Sequence, residues 1–213
     1  RRILEMKFIL GLFDDPYRYL DKEREKNTIM KPEFLQAARE TAARSIVLLK
    51  NEKSFFPITK DKSLTVALIG PMVKDKVNQN GEWAGKGNRE QSVSLYEGLT
   101  EKYAGTNVKF VYAQGCDLTT DNRDGFAEAL ATARRADVVL AVMGEDFNWS
   151  GEAASRSDIR LPGAQQELLK ELKKTGKPVG VVLMNGRPLD LSWEDANLDA
   201  IMEAWYLGTM SGH

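Results

Sequence analysis

Carboxylates cluster in one long segment of the sequence, residues 144 to 163, which reads GEDFNWSGEAASRSDIRLPG. Glu145, Glu152 and Asp158 lie there together with Arg156. When carboxylates are crowded and partly covered by aromatic side chains, the pKa of one of them can rise. An acid that stays protonated near neutral pH can give its proton to a leaving group, as the cleavage of an acetal requires. The segment therefore predicts acid–base chemistry.

A plainer interpretation of the same segment stays open. Most charged loops are solvated surfaces, and Arg156 with Asp158 can simply pin such a loop in place. Against this, loops of this length are uncommon inside compact domains, and they tend to be functional or disordered. The residues alone leave both interpretations standing.

Two predicted loops each carry a tryptophan, Trp149 in the acidic segment and Trp83 in NGEWAGKGN. Trp83 has Ala84 as its one apolar neighbour, so it has little local core to join. A flat aromatic face suits the apolar side of a sugar ring, which makes sugar stacking an alternative to simple packing. The glycines around Trp83 come too late after the preceding strand for a dinucleotide fingerprint, which disfavours a nucleotide site.

Composition excludes several other classes of chemistry. Cys116 is the single cysteine and His213 the single histidine, which rules out internal disulfides, Ser-His-Asp triads and metal sites built from cysteine or histidine. The 30 Lys and Arg residues are balanced by 31 Asp and Glu, so no basic excess indicates nucleic acid. No apolar run is long enough for a membrane helix. We therefore expect carboxylate chemistry without a metal or another cofactor.

The elements that must position these side chains follow a regular rhythm from residue 64 onward. Strand-like runs are LTVALIG, VKFVYA, DVVLAVMG, PVGVVLM and LDAIMEAWY, and helical patterns between them are VSLYEGLTEKY, DGFAEALATARRA and PGAQQELLKELKKTG. This alternation is typical of an α/β fold with a mostly parallel sheet covered on both faces. Ligands of such sheets bind at the carboxyl ends of the strands, which is where both tryptophan-bearing loops and the segment NGRPLDL begin.

The first part of the chain has a different character. RRILEMKFILGLF predicts an amphipathic helix, the residues up to 31 predict a polar and irregular connector, and PEFLQAARETAARSIVLLKN predicts a helix from Pro32 to Asn51. The first helix has no N-cap residue before it, and the last residues follow a strand where another helix would begin. We therefore expect the chain to be part of a longer protein.

Several of these stretches, in this order, resemble glycoside hydrolase family 3 of the β-glucosidase type. The stretches are RRILEMKFILGLFDDPY, AARETAARSIVLLKNE, VALIGP, GEDFNWSGEAASRSDIRLPGAQQELL, KPVGVVLMNGRPLDLSW and DAIMEAWYLGTMSG. The resemblance covers essentially the whole chain. It implies that residues 32–213 are a three-layer (α/β)6-type sandwich, truncated at its C-terminus. Residues 1–31 would be the last helix of a preceding barrel domain and the linker between the domains.

The resemblance also implies a function. Members of this family are retaining, exo-acting glycosidases on β-linked gluco- or xylo-configured sugars, and they need no cofactor. Their nucleophile is an aspartate of the barrel, which is missing here, so the chain is expected to be inactive alone. The expected partners are the β-glycoside and the missing barrel of the same protein, and the expected location is periplasmic or secreted.

The acid/base of this family is a glutamate from the second domain, in a loop of S-G-E-G-x-D-R type. The match in this sequence is Ser150-Gly151-Glu152 with Arg156, and residues 153–155 depart from the pattern. Glu152 is therefore the predicted acid/base, with Glu145 as the alternative.

The resemblance further makes Trp83 and Trp149 substrate-binding candidates, with Glu82 or Asn80 as alternatives to Trp83 in the same loop. Arg156 and Asp158 are expected to hold the loop that carries Glu152.

Two other classes remain as alternatives. One is a non-catalytic carbohydrate-binding or regulatory module with a flavodoxin-like outline, because fold alone does not fix function. The other, less favoured, is a nucleotide-binding module.

Overall fold

The computed structural model describes all residues, 1–213, and divides into two compact units, Arg1–Ala37 and Ala38–His213. In the first unit, helix α1 covers Arg2–Ile9 and helix α2 covers Lys22–Thr28. The predicted connector therefore contains a helix, which begins where the Asp21 carboxylate accepts a hydrogen bond from the Arg24 amide (2.9 Å). The division at residue 37 falls inside helix α3, Pro32–Ser45, which begins at Pro32 as predicted.

The second unit is built on one six-stranded sheet. Its strands are β1 Val47–Asn51, β2 Leu64–Ile69, β3 Val108–Ala113, β4 Val138–Gly144, β5 Val179–Met184 and β6 Ala200–Glu203. They lie in the order β1-β6-β5-β4-β2-β3, and all neighbours are parallel except β1 with β6. The predicted mostly parallel α/β sheet is confirmed.

Helices and loops cover both faces of this sheet. The remaining helices are α4 Leu95–Lys102, α5 Phe126–Arg134, α6 Gln165–Lys173 and α7 Ser192–Asn197. Helices α5 and α6 pack with one face of the sheet into a core that includes Leu168, Leu169 and Leu172, all fully buried. Side chains of α4 and of residues 55–58 pack against the opposite face. The layered sandwich predicted for this part of the chain is thus present. None of the helices contains a stretch of apolar residues that could span a lipid bilayer.

A second predicted element was also wrong. The helix expected to run from Pro32 to Asn51 ends at Ser45, and Val47–Asn51 forms strand β1 at the edge of the sheet. Its sequence VLLKN is a short apolar run, and helical and strand patterns are hard to distinguish in such runs. Antiparallel pairing with β6, where Val47 lies opposite Glu203, decides for the strand.

The carboxyl ends of the central strands meet at one edge. Gly144, the last residue of β4, lies beside Met184, the last residue of β5, and Glu203 ends β6 next to Leu183. A side chain at position 144 would overlap the Met184 carbonyl oxygen, so glycine lets the two strands approach closely at this end. Several loops leave this edge, among them residues 70–94 after β2, 145–164 after β4 and 185–191 after β5.

Candidate active site

Tyr206, just after β6, joins these loops at the carboxyl edge of the sheet. Its hydroxyl donates a hydrogen bond to the Glu145 carbonyl oxygen (2.9 Å) and bonds the Ser150 side chain. A Cβ at Gly186 would overlap the Ser150 hydroxyl and crowd the Tyr206 ring, so glycine is required there for the loops to pack together. Burial raises the pKa of Tyr206, and the nearby Glu145 carboxylate adds to the rise, so the phenol stays a hydrogen-bond donor.

Glu145, the first residue after β4, has a fully buried side chain held by two arginines. Its Oε1 lies 2.6 Å from Arg156 Nη1, and its Oε2 lies 3.2 Å from Arg187 Nε. The first contact is a hydrogen-bonded ion pair; the second has ion-pair distance without hydrogen-bond geometry. A buried carboxylate needs such partners, because transfer of an unpaired charge out of water is costly.

Glu152 lies in a different environment, although it belongs to the same loop. Its side chain is exposed and makes no hydrogen bond or ion pair with the rest of the chain. The residues on either side of it, Gly151 with φ +111° and Ala153 with φ +59°, have backbone conformations that side-chain-bearing residues rarely adopt. Glu82 packs against Gly151, since a Cβ at that position would overlap its carboxylate. The loop thus presents the Glu152 carboxylate to solvent on an unusual backbone.

The tryptophans differ in their surroundings. Trp149 closes a short 3₁₀ turn, Phe147–Trp149, and is half-buried beneath the Arg156 guanidinium, which lies 4.5 Å from its ring centroid. Trp83 is 73% exposed in the turn Glu82–Ala84, so packing within this domain does not account for it. An exposed indole at the edge where ligands bind is suited to stacking on a flat partner.

The loop-supporting residues have different partners from one another. Arg156 contacts Glu145 and Trp149, not Glu152, and in this way ties the loop to the end of β4. Asp158 instead bonds Arg160 through the Arg160 amide, Nε and Nη2, at 2.6–3.0 Å. These bonds from Arg160 hold the pKa of Asp158 well below its usual range. The contacts of Asp158 are local and exposed.

A second set of contacts connects the loop after β2 with the loop after β4. The Asp75 carboxylate accepts hydrogen bonds from the Asn78 amide (3.0 Å) and its side chain (2.7 Å). Asn78 in turn accepts a hydrogen bond from the Phe147 amide (2.8 Å), and the Arg89 guanidinium stacks over the Phe147 ring at 3.7 Å. These bonds fix the position of the loop after β2 (residues 70–94, the Trp83 loop) relative to the loop after β4 (residues 145–164, the Glu152 loop).

Sequence reasoning missed Arg187, Tyr206 and Glu203. Arg187 lies in the segment NGRPLDL, whose place after a strand was a usable signal, and Tyr206 follows the last strand in the same way. Burial raises the pKa of Glu203 to about 7, despite hydrogen bonds from the Trp205 amide and the Asn185 side chain, and the Glu145 carboxylate adds to the rise. A pKa shift of this size can be recognised only from the three-dimensional structure, because no local sequence pattern indicates it.

Residues 46–213 match the model of the glycosyl hydrolase family 3 C-terminal domain. The chain is 36% identical to the periplasmic beta-glucosidase of Salmonella typhimurium, covering 100% of this chain and 30% of that protein. It is 38% identical to a beta-xylosidase of Formosa agariphila, covering 99% and 29%.

A solved structure, the beta-glucosidase of Listeria innocua in complex with isofagomine, superposes with a TM-score of 0.87 at 33% identity, covering 99% of this chain and 28% of that one. The chain thus spans about a third or less of the length of the relatives it matches. It belongs to glycoside hydrolase family 3, and its residues 46–213 correspond to the C-terminal domain of that family.

Proposed function

We propose that this chain is the second domain of a retaining, exo-acting β-glycosidase on gluco- or xylo-configured sugars, in which Glu152 is the general acid/base. The observation that carries this proposal is the contrast between the two glutamates of the loop. Glu152 is exposed and unpaired at the carboxyl edge of the sheet, whereas Glu145 is fully buried between two arginines. A proton donor must reach the glycosidic oxygen, and a buried carboxylate without access to it does not.

The chemistry divides between this domain and the rest of the protein. In the first step Glu152 protonates the departing oxygen while a carboxylate on the other side of the bond attacks the sugar and forms a covalent glycosyl-enzyme. In the second step Glu152 takes a proton from a water molecule that attacks the sugar and releases that carboxylate. Such carboxyl groups lie about 5–5.5 Å apart, so the loop that carries Glu152 must extend beyond its own sheet to meet the nucleophile. We expect the nucleophile on a preceding barrel, and therefore no turnover by residues 1–213 alone.

Residues 1–31 are proposed to be the last helix of that barrel and the linker between the domains. Large apolar side chains of α1 are strongly exposed, among them Ile3 (74%) and Phe8 (73%), and no residue of this helix is buried. Apolar surface of this extent is characteristic of a segment that packs against another part of a protein. Similarity to a periplasmic protein of Salmonella typhimurium supports a periplasmic or secreted location.

Trp83 and Trp149 are proposed to contact the sugar. The exposed ring of Trp83 suits the face of the leaving sugar, while Trp149, half-covered by Arg156, offers its remaining surface beside Glu152. Glu82 lies close to both Gly151 and Trp83, so it remains a second candidate contact in that loop.

The test uses the full-length enzyme and compares glycosides with poor and good leaving groups. Glu152→Gln is expected to lower kcat/KM for a phenyl β-glycoside by roughly 10²–10⁴-fold, because the departing phenol must be protonated. The 2,4-dinitrophenolate of a dinitrophenyl glycoside departs without protonation. The kcat/KM for this substrate, which reports formation of the glycosyl-enzyme, should therefore fall far less. The same comparison on β-glucosides and β-xylosides identifies the preferred sugar.

The matched control is Glu90→Gln, which removes another exposed glutamate from a loop at the same edge of the sheet. This variant should leave kcat/KM unchanged for both substrates. A loss from Glu152→Gln that is equal for both leaving groups would exclude Glu152 as the acid. Binding of cello-oligosaccharides without any turnover by the full-length protein would favour a non-catalytic carbohydrate-binding module instead.

A further inference from the structure

We propose that Glu145 is a positioning residue for proton transfer, which fixes the Glu152 loop through Arg156. This inference rests on the proposed role of Glu152 as the acid/base. Glu145 itself has no access to a substrate, because its side chain is fully buried. Its effect on the reaction is therefore indirect, because it acts by fixing the position of the Glu152 carboxylate.

The Glu145–Arg156 ion pair closes the loop at its base. Arg156 follows Glu152 by four residues, reaches back to Glu145 at 2.6 Å and covers Trp149 at 4.5 Å. The chain on both sides of Glu152 is thus held by one guanidinium. Because the hydrogen bond to Glu145 and the stacking over Trp149 both act on one planar guanidinium, this arrangement fixes orientation as well as distance.

Glu145 is fixed to the sheet before it binds Arg156. Its amide donates a hydrogen bond to the Met184 carbonyl oxygen (3.0 Å), and its own carbonyl accepts one from Tyr206 (2.9 Å). Arg187, from the loop after β5, occupies the other side of the carboxylate. The Glu145–Arg156 ion pair, called the anchor below, therefore connects the Glu152 loop to the ends of three neighbouring strands.

The backbone next to Glu152 supports the same conclusion. Ala153 has φ +59°, a conformation that is unfavourable for alanine and persists where the surrounding structure enforces it. The ion pair at the base of the loop helps to enforce it, together with the packing of Glu82 against Gly151. Displacement of a catalytic group by about 1 Å can cost roughly 100-fold in rate, so this constraint matters for the reaction.

The experiment compares two arginines of the same loop in the full-length enzyme. Arg156→Gln cuts the link to Glu145 while leaving that buried carboxylate paired with Arg187. Arg160→Gln is the matched control, because its partner Asp158 is exposed and local. We expect Arg156→Gln to lower kcat/KM at least about tenfold for a phenyl glycoside and at most about threefold for a dinitrophenyl glycoside. Arg160→Gln should leave both values unchanged.

A second variant and a double variant make the test independent of folding defects. Glu145→Asp keeps the charge and withdraws the carboxylate by one methylene group, and it should show the same preference for good leaving groups. Arg156→Gln combined with Glu152→Gln should be no slower than Glu152→Gln alone, because the anchor acts only through Glu152. Multiplied losses in the double variant would overturn the proposal.

The outcomes separate this inference from the proposed function. If Glu152→Gln shows leaving-group dependence and Arg156→Gln loses activity equally on both substrates, the anchor is only structural and this inference is wrong. If Glu152→Gln itself shows no such dependence, the assignment of the acid/base fails first.

Discussion

Strand β6 carries a buried carboxylate at each end, and the two have opposite environments. Asp199, at the amino end, accepts hydrogen bonds from Lys173 Nζ (2.7 Å) and the Val179 amide (3.0 Å), with Lys53 at 3.6 Å. Burial pushes the pKa of Asp199 upward, but these partners outweigh it and hold the pKa below its usual value. Glu203, at the carboxyl end, has no cation beside it, and burial raises its pKa to about 7.

This difference extends to the neighbouring side chains. At the carboxyl edge of the sheet, several buried polar atoms have no hydrogen-bond partner within the protein, namely Arg187 Nε and Nη2, Asn185 Oδ1, Glu145 Oε2 and Gln79 Oε1. Buried polar groups are satisfied in most of a folded protein, and exceptions concentrate where function is located. The polar contacts at the amino end of β6 therefore stabilise the fold, whereas the unpaired buried polar groups at its carboxyl end destabilise it.

The largest expected effect concerns Glu203. Its pKa of about 7 in the folded state exceeds that of an unfolded glutamate, so the folded state binds the proton more tightly. The contribution of this group to stability is fully present below about pH 4 and is lost as pH rises to 7, by roughly 3 kcal/mol. Glu203→Gln should thus leave the free energy of unfolding near its wild-type value at pH 4 and raise it by about 3 kcal/mol at pH 8.

Urea denaturation of the 213-residue chain at these two pH values measures this difference. A variant that is less stable than the wild type at pH 8 would show that the ionised carboxylate is well accommodated, and it would break the contrast between the two ends of β6.

The sheet itself could be predicted from the sequence with little help. Strands β4 and β5 are continuous apolar runs buried on both sides, and such runs separated by helical patterns indicate a parallel sheet. Strand β1 could not be recognised in the same way, because its exposed apolar residues follow a helix directly. Its identity depends on pairing with β6, which is far away in the sequence.

The candidate site was predicted only in part. The loop, Glu152 and the two tryptophans are predicted from residue types and from the family resemblance, and their roles remain predictions. The partner of Arg156 does not, because it depends on Glu145 being buried at a strand end beside Arg187, and that requires three loops to meet. Asp158, which looks equally suitable by spacing, bonds Arg160 two residues away instead.

The next effect in size concerns the amino end. Asp199→Asn removes the charge that Lys173 and the Val179 amide stabilise, and it should lower the free energy of unfolding at pH 7 by about 2 kcal/mol. Because the folded pKa of Asp199 lies below the unfolded one, this contribution is present above the unfolded pKa and is lost as pH falls through the folded value.

The difference between Asp199→Asn and the wild type should therefore shrink from pH 7 to pH 3 in the same denaturation experiment. Glu203→Gln and Asp199→Asn then change stability in opposite directions at neutral pH. Equal signs for both would mean that the two ends of the strand do not differ as described.

The smallest effect sharpens the comparison at the level of the backbone. Ala153, next to Glu152, and Ser54, near the amino end of β6, both have positive φ, +59° and +55°. Glycine relieves the strain of this conformation but gains entropy in the unfolded chain, so each change to glycine should raise stability by at most about 1 kcal/mol. The two variants are thus matched in their effect on folding.

Their effects on activity should differ, because only Ala153 borders the proposed acid/base. In the full-length enzyme, Ala153→Gly frees the backbone beside Glu152 and should lower kcat/KM for a phenyl glycoside about two- to threefold, with little change for a dinitrophenyl glycoside. Ser54→Gly should change neither value. If Ala153→Gly also leaves both kcat/KM values unchanged, the unusual backbone beside Glu152 contributes nothing to proton transfer. The two ends of β6 would then differ only in their buried side chains.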